Sequence, residues 1–148
     1  MADAPRRADA VWQGSLTQGS GEVSLTTSGS AGPLPVTWAS RTERSNGKTS
    51  PEELLAAAHA SCYCMALSAD LGAAGTPPEK LEVSATVTFQ QIEGGWKTGT
   101  SHITVKGWVP GIDEAAFKEA AEGAKDGCPI SGALKGNVEL SVEATLAT

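Results

Sequence analysis

The chain has 148 residues, with 11 Lys and Arg, 17 Asp and Glu, and a formal net charge of −6 at pH 7. This acidic balance argues against a nucleic acid or an anionic membrane as an electrostatically held partner. No apolar run of signal-peptide length follows Met1, and no stretch is expected to approach a membrane span. We therefore predict a soluble cytoplasmic protein with a single domain, residues 1–148, in which residues 1–9 form a flexible tail.

Three short strands are predicted in the first 40 residues. Residues 10–17 and 21–27 alternate apolar and polar side chains and are joined by a Gly- and Ser-rich turn, a pattern typical of a β-hairpin. Residues 34–40 are a candidate third strand, in which Pro35 favours an edge position. A polar loop, residues 41–49, leads from there to the most apolar stretch of the chain.

The central predicted element is a long helix that starts at Pro51. Ser50 is a favourable N-cap, Pro51 loses nothing at the first helical position, and Glu53 completes a capping box. Apolar side chains then occupy nearly every side, which is typical of a helix surrounded by protein. We therefore expect Cys62 to be buried or nearly so. The helix is expected to end near Gly72, the glycine predicted to take a left-handed conformation.

The second half of the chain begins with a second predicted pair of strands. Residues 81–89 and 101–108 both alternate with a period of two, and Gly94 and Gly95 lie in their connection. This arrangement predicts an antiparallel pair.

A second helix and a last strand complete the predicted elements. Asp113 is a favourable N-cap for a helix that ends before Gly127, so Cys128 is expected at the corner after its C-terminus. Residues 137–146 alternate once more. The order β-β-β-α-β-β-α-β, with hairpins and no regular βαβ crossovers, predicts an α+β fold with antiparallel β-sheets packed around the long central helix.

The chain contains three cysteines, an odd and small number for a secreted scaffold. In a reducing compartment they favour metal or redox chemistry over structural bridges. Cys62 and Cys128 lie on different predicted elements, and either could also be a small core residue. Cys64 lies about 200° around the helix from Cys62, so it is predicted to point away and to be a core residue.

An activated thiolate at Cys62 needs a nearby cation. The residue lies in the third turn of its helix, too far from the N-terminus to gain much from the macrodipole. Arg41 and Arg44 in the polar loop and His59 one turn upstream are the candidates. Glu52 is the natural carboxylate to orient an arginine, because the two groups pair bidentately.

Helix geometry separates these candidates within one chain. Glu52 precedes Cys62 by ten residues, roughly 15 Å along the helix. If Arg41, Glu52 and Cys62 form one site, either Arg41 spans the gap or a second copy of the chain contributes some of the residues. We favour a site at a homodimer interface. Both residues also have a simpler explanation. Glu52 could be an acid in the first turn of the helix, where it interacts favourably with the helix dipole, and Arg41 could be a solvated charge in the loop.

Two other chemistries are compatible with part of this pattern. His59 and Cys62 could supply two metal ligands, but no paired CxxC or HxxxH motif completes a zinc site, so we expect no metal and no bound cofactor. The same two residues resemble a Cys-His nucleophile pair for acyl transfer, with His102 as an alternative base. No oxyanion-hole motif accompanies them.

Two motifs carry a resemblance to a known family. Residues 49–62, TSPEELLAAAHASC, resemble the signature of the OsmC/Ohr family, the osmotically inducible protein C and organic hydroperoxide resistance proteins. Residues 124–131, AKDGCPIS, resemble the second-cysteine motif of that family, and residues 109–113 also fit it. The resemblance covers essentially the whole chain. His59 and the length between the cysteines are more similar to the OsmC branch than to the Ohr branch.

The resemblance implies an OsmC-like fold in an intertwined homodimer with two active sites at the subunit interface. It implies that Cys62 is the peroxidatic cysteine and Cys128 the resolving one, that Arg41 activates the thiolate, and that Glu52 orients this arginine. The loop that carries Arg41 differs in length from the family pattern, and Arg44 stands close by as a second arginine.

The implied activity is a thiol-dependent peroxidase with an antioxidant role in the oxidative stress response. It reduces organic hydroperoxides, and inorganic peroxide less efficiently, through a Cys62 sulfenic acid and a Cys62–Cys128 disulfide. An external dithiol, typically a dihydrolipoyl protein in the family, recycles the disulfide. Apolar side chains expected around the site favour organic substrates: Leu54, Leu55, Met65, Phe117 and Trp38.

Two alternatives to a peroxidase stay open. One is a Cys-His hydrolase or acyl transferase that uses Cys62 with His59 and has no need of Cys128. The other is a noncatalytic redox-sensing or small-molecule module on the same fold, which would be oxidised stoichiometrically without turnover.

Overall fold

A computed structural model describes residues 3–148 of the chain. Its elements in chain order are β1 (Asp9–Gln13), β2 (Ser20–Ser24), β3 (Leu34–Val36), α1 (Trp38–Thr42), α2 (Pro51–Ala73), β4 (Lys80–Ile92), β5 (Gly95–Trp108), α3 (Glu114–Gly127), α4 (Pro129–Leu134) and β6 (Glu139–Leu146). By their internal contacts the elements divide into a first unit that ends at Pro51 and a second unit, Glu52–Thr148. The mixed α+β class with a long central helix is confirmed.

The first unit is built on an antiparallel sheet with the strand order β1-β2-β3. The predicted hairpin is confirmed, with Asp9 opposite Ser24 and Gln13 opposite Ser20. Ordered contacts begin within the segment predicted as a tail, because the Arg7 N–H donates to Thr27 Oγ1 at 2.6 Å. Met1 and Ala2 of that segment lie outside the described residues.

The predicted third strand is wrong beyond Val36, where the chain turns into the short helix α1. Thr37 is the N-cap: its side chain accepts from the Ser40 N–H at 3.0 Å, and its own N–H donates to Ser40 Oγ at 2.9 Å. This reciprocal pair is a capping box in which serine replaces the usual acid or amide. The cap ends β3 and places Arg41 in the last turn of a helix instead of in a loop.

Helix α2 begins at its predicted residue and continues beyond its predicted end. Gly72 is helical, and Gly75 takes the left-handed conformation with φ of 85°. The Thr76 N–H donates to Leu71 O at 2.9 Å and the Gly75 N–H to Gly72 O at 3.1 Å. These two bonds are the Schellman pattern, so the glycine that terminates the helix lies three residues later than expected.

The fully buried side chains of α2 form one stripe. They are spaced four residues apart: His59, Tyr63, Leu67 and Leu71. Met65 on another side is 72% exposed. The expectation of a helix covered on nearly every side is therefore wrong for the single chain.

Among residues 3–148, α2 is also the one helix long and apolar enough to cross a membrane, with a window hydropathy of 1.3. The expectation that no stretch approaches such a span is wrong on length and composition. A core helix passes the same test, and three residues of the buried stripe, Tyr63, Leu67 and Leu71, belong to a hydrophobic cluster with Ile103, Val105 and Phe117. One face of α2 therefore packs into the core of the second unit.

The sheet of the second unit has the strand order β4-β5-β6. β4 and β5 are antiparallel as predicted, joined by a tight turn in which Gly94 has φ of 87°. β5 and β6 are parallel, with Ser101 opposite Leu140. The prediction of antiparallel sheets is wrong for this pair. α3 and α4 form the crossover connection that parallel strands require.

The sheet and the helices of the second unit share one core. Alternate residues of β5 are buried, and those between them are not, so the sheet has a core face and an outer face. Asp113 caps α3 as predicted, accepting from the Ala116 N–H at 2.8 Å. Phe117 of α3 is fully buried, and a Cβ at Gly107 of β5 would lie 2.5 Å from its ring. Phe117 is therefore a core residue, and the expectation that it lines the substrate site is wrong.

Candidate active site

The structure brings Cys62 and Cys128 together in the second unit. Cys62 lies in the third turn of α2 and is partly exposed, whereas Cys128 is 1% exposed. The two thiols are close enough for each to shift the pKa of the other. The predicted corner position of Cys128 is confirmed: its N–H donates to Ala124 O at 2.9 Å and closes α3.

Cys128 is also the N-cap residue of α4, a helix that was not predicted from the sequence. Pro129 occupies the first helical position, where proline is common. The Cys128-Pro129 step is the sequence feature from which the start of α4 could have been predicted. This turn brings the N–H groups of Ile130 and Ser131 near the Cys128 sulfur, whose side chain makes no cap hydrogen bond.

The surroundings of the two thiols shift their pKa values in opposite directions. Burial raises the pKa of the Cys62 thiol, and the hydrogen bond with Cys128 raises it further. Burial also opposes ionisation of Cys128, but hydrogen bonds from Cys62, Ser131 and Ile130 outweigh it and hold the pKa of Cys128 below its ordinary value. Within this unit Cys128 therefore ionises more readily than Cys62.

His59 is fully buried beside the pair, and both of its ring nitrogens are engaged. Nδ1 lies 2.6 Å from Ser101 Oγ, and Nε2 lies 2.8 Å from Ser131 Oγ. Burial lowers the pKa of His59, so the ring is neutral. With neither nitrogen directed at Cys62, the Cys-His nucleophile pair considered above is not formed. No cluster of three or more potential metal ligands occurs within residues 3–148.

His102, the alternative base, lies on the outer face of β5. Its neighbours Ser101 and Ile103 are buried on the core face, while His102 Nδ1 lies 2.6 Å from Ser141 Oγ on β6. Side chains of adjacent strand residues point to opposite faces. The prediction that His102 could serve Cys62 as a base is therefore wrong.

The two residues after Cys62 are structural. The Tyr63 hydroxyl donates to Ala121 O at 2.8 Å, and burial raises its pKa. Cys64 is partly buried rather than fully enclosed as a core residue, and burial raises its thiol pKa.

Glu52 is buried in the first turn of α2, 7% exposed. The helix continues without interruption to Cys62, so the two side chains are separated by roughly 15 Å of helix, as expected. Within the second unit, Glu52 is therefore not part of the cysteine pair.

Arg41 belongs to the first unit, where it borders an apolar pocket of about 310 Å³. The other pocket residues are mostly apolar: Trp12, Leu16, Val36, Thr37, Trp38 and Pro51. Arg41 is partly buried, whereas Arg44, beyond the end of α1, is exposed. Two of the four tryptophans of the chain therefore line an apolar pocket. The Thr37–Ser40 capping box begins the helix that positions Arg41, and it is the sequence signal by which this helix could have been predicted.

Comparison with known proteins agrees with this architecture. Residues 44–143 match the family model described as OsmC-like protein. The chain is 37% identical over 138 residues to Peroxiredoxin OsmC of Escherichia coli (strain K12), covering 93% of this chain and 95% of that protein. It is 30% identical over 95 residues to the organic hydroperoxide resistance protein of Xanthomonas axonopodis pv. citri (strain 306), covering 64% and 65% of the two chains.

A solved structure shares the fold at lower identity. The crystal structure of the organic hydroperoxide resistance protein OhrB of Bacillus subtilis aligns with a TM-score of 0.74 and 23% identity, covering 94% of this chain and 98% of that one. The fold and the paired thiols define a small α+β protein with a two-cysteine site. The chain belongs to the OsmC-like family, as its two cysteine motifs predict.

Proposed function

We propose that the protein is a cysteine-based peroxidase that reduces organic hydroperoxides to alcohols. The observation that carries the proposal is the adjacent pair of Cys62, which is partly exposed, and Cys128, which is buried. One sulfur is accessible to a substrate and the other can attack only its neighbour. The names of the relatives, peroxiredoxin and organic hydroperoxide resistance protein, support a peroxide-related redox role.

The first half of the reaction takes place at Cys62. Its thiolate attacks one oxygen of the hydroperoxide, the S–O bond forms as the O–O bond breaks, and the alkoxide leaves and takes up a proton to become the alcohol. Cys62 is thereby oxidised to a sulfenic acid. In the second half, the Cys128 thiolate attacks the Cys62 sulfur, and the displaced hydroxide takes up a proton and leaves as water. The product is the Cys62–Cys128 disulfide.

Recycling needs two electrons from outside the chain. We propose that an external dithiol, of the dihydrolipoyl protein type, reduces the disulfide by thiol–disulfide exchange and is itself oxidised to a disulfide. No metal and no bound cofactor takes part in this scheme. It also requires a reducing compartment, for which we propose the cytoplasm.

The raised pKa of the Cys62 thiol gives Arg41 its role in the proposal. Because burial disfavours the thiolate at Cys62, that sulfur needs a nearby cation before it can attack. By the family motif we assign this cation to the Arg41 guanidinium and its orientation to Glu52, from the same chain or from a second copy. The guanidinium also stabilises the charge that develops on the leaving alkoxide.

The pocket beside Arg41 supports an organic substrate. Trp12 and Trp38 offer apolar surface to an alkyl or aryl tail, and burying such surface contributes roughly 25 cal/mol per Å². Hydrogen peroxide has no tail to bury there. We therefore propose a preference for organic over inorganic peroxide.

We further propose that the protein is a homodimer. Among residues 3–51 only Gly21 is buried, whereas Val11 is 63% and Leu16 55% exposed. A segment of this size lacks the buried surface for independent stability. A second copy of the chain can cover these side chains together with Met65 of α2.

The proposal is tested by following the consumption of cumene hydroperoxide with dihydrolipoamide in excess. We expect multiple turnovers by the wild type and no reaction by Cys62→Ser. Cys128→Ser should lose the recycling that depends on the Cys62–Cys128 disulfide. Cys64→Ser is the matched control and should retain full turnover, because Cys64 lies away from the pair.

Other results would contradict the proposal. Wild-type oxidation that stops after one equivalent with any dithiol would favour the redox-sensing module. Hydrolysis of an activated ester that needs Cys62 and persists in Cys128→Ser would favour the hydrolase.

A further inference from the structure

A line of hydrogen bonds runs from the sheet to α4, the helix that has Cys128 as its N-cap residue. Ser101 on β5 contacts His59 Nδ1 at 2.6 Å, and His59 Nε2 contacts Ser131 on α4 at 2.8 Å. Ser131 is the third residue of α4, and its hydroxyl is close enough to the Cys128 sulfur to lower the pKa of that thiol. The serines, His59 and Cys128 are each at most 1% exposed, so water does not compete for these contacts. Of these four residues, the reaction proposed above uses only Cys128.

The directions of these contacts follow from the state in which Cys128 attacks. Its thiolate can only accept a hydrogen bond, so in that state the Ser131 O–H donates to it. The Ser131 oxygen then accepts from Nε2–H of His59. A neutral ring that carries its proton on Nε2 has a bare Nδ1, which accepts from the Ser101 O–H. The opposite tautomer would draw the Ser131 proton toward the ring and away from sulfur.

We propose that His59 is a positioning residue for the resolving half of the reaction: it holds the Ser131 hydroxyl as a donor to Cys128, so that the Cys128 sulfur is ready to attack the oxidised Cys62. The inference rests on the proposed function for its role, but the arrangement of donors can be tested without any peroxide. His59 acts through Ser131 and does not touch the reacting sulfurs.

Other groups near Cys128 act on the same sulfur and must be separated from the relay. Cys62 and Tyr63 face it from α2. On the other side, Lys125, Asp126 and Lys135 border a small pocket together with Ser131. Ser131→Ala and His59→Phe change none of these groups. A shift in Cys128 seen in these variants therefore reports the relay.

The first experiment uses the double variant Cys62→Ser/Cys64→Ser, in which Cys128 is the remaining cysteine of the chain. The ultraviolet absorbance of the thiolate is titrated against pH. Loss of a hydrogen bond to a charged sulfur should raise the midpoint by about one pH unit in Ser131→Ala and in His59→Phe. His59→Gln, whose amide can still donate to Ser131, should recover part of the shift.

An unchanged midpoint in His59→Phe would overturn the inference, because a purely structural histidine would lower thermal stability without moving the titration of Cys128. If His59→Phe does not fold, Ser101→Ala poses the same question. It removes the donor to Nδ1, releases the other tautomer, and should give part of the rise. No rise in Ser101→Ala would then overturn the inference.

The second experiment separates this inference from the proposed function. After one equivalent of cumene hydroperoxide, His59→Phe with its cysteines intact should form the Cys62 sulfenic acid at the wild-type rate and the disulfide several-fold more slowly. Equal slowing of both steps would contradict a role confined to resolution. A wild type that does not react with peroxide would refute the peroxidase, while the titration still decides the tautomer and the relay.

Discussion

In the reduced protein the surroundings of the two site cysteines shift their thiol pKa values in opposite directions. The N–H groups at the start of α4 and the Ser131 hydroxyl all favour a thiolate at Cys128, while burial raises the pKa of Cys62. An attacking Cys62 thiolate therefore requires a compensating positive charge, and that requirement makes the choice of arginine decisive.

Arg41→Ala and Arg44→Ala form a matched pair for identifying this charge. Arg41 is partly buried and borders the apolar pocket, whereas Arg44 is exposed beyond the end of α1. We expect Arg41→Ala to slow sulfenic acid formation at Cys62 by roughly 100-fold, the cost of removing one preorganised donor. Arg44→Ala should stay within about twofold of the wild type, since exposed charges interact weakly.

Stopped-flow measurement of thiol loss with cumene hydroperoxide gives both rates. The reverse ranking would show that Arg44 is the activating residue. Equal and small effects would remove both arginines from the site.

The sequence motifs predicted the positions of the two cysteines but not the surroundings that shift their pKa values. Gly127-Cys128-Pro129 marks a helix boundary by local chemistry alone, so the corner position of Cys128 was accessible. The partners of His59 were not, because Ser101 and Ser131 lie 42 and 72 residues away in the chain. Only the folded core brings these three side chains together.

The end of α2 shows how two nearby glycines differ in function. Gly75 has φ of 85°, where a side chain is strained, whereas Gly72 is helical and a Cβ there would meet nothing within 4 Å. We expect Gly75→Ala to lower the free energy of unfolding by about 1 kcal/mol. Gly72→Ala should raise it by about 0.5 kcal/mol, because alanine favours the helix over glycine.

Urea denaturation followed by circular dichroism measures both changes against the wild type. If both substitutions destabilised the protein to the same extent, the Schellman termination at Gly75 would be wrong. The alternative would be the end at Gly72 that the sequence pattern favoured.

The direction of the last strand illustrates a limit of periodicity. Residues 139–146 alternate exposed and partly buried side chains, and this alternation is the same in a parallel and an antiparallel pair. The choice is made by the connection: α3 was predicted, but α4 was not, and together they carry the chain across to the start of β6. The short helix α1 was missed for a related reason, because five residues are too few to establish a helical period.

The exposed apolar side chains of the single chain bear on the proposed assembly. We expect sedimentation equilibrium to give twice the mass of the chain. Met65→Glu places a charge where a side chain that is 72% exposed in the single chain would be covered in the dimer, and should weaken dimerisation at least about tenfold.

Ala116→Glu is the matched control for that change. It adds the same charge at an exposed position in the first turn of α3, where an acid favours the helix, and should leave the mass unchanged. A wild type that sediments as a monomer at all concentrations would contradict the dimer.

The donors that surround Cys128 have a thermodynamic consequence for recycling. The Ser131 and Ile130 hydrogen bonds stabilise a thiolate, and a sulfur in a disulfide bond carries no such charge to receive them. They therefore lower the free energy of the reduced protein more than that of the oxidised one. By the Nernst relation this difference raises the reduction potential of the Cys62–Cys128 couple, so the same few contacts that prepare the second sulfur for attack also make its disulfide easier for an external dithiol to reduce.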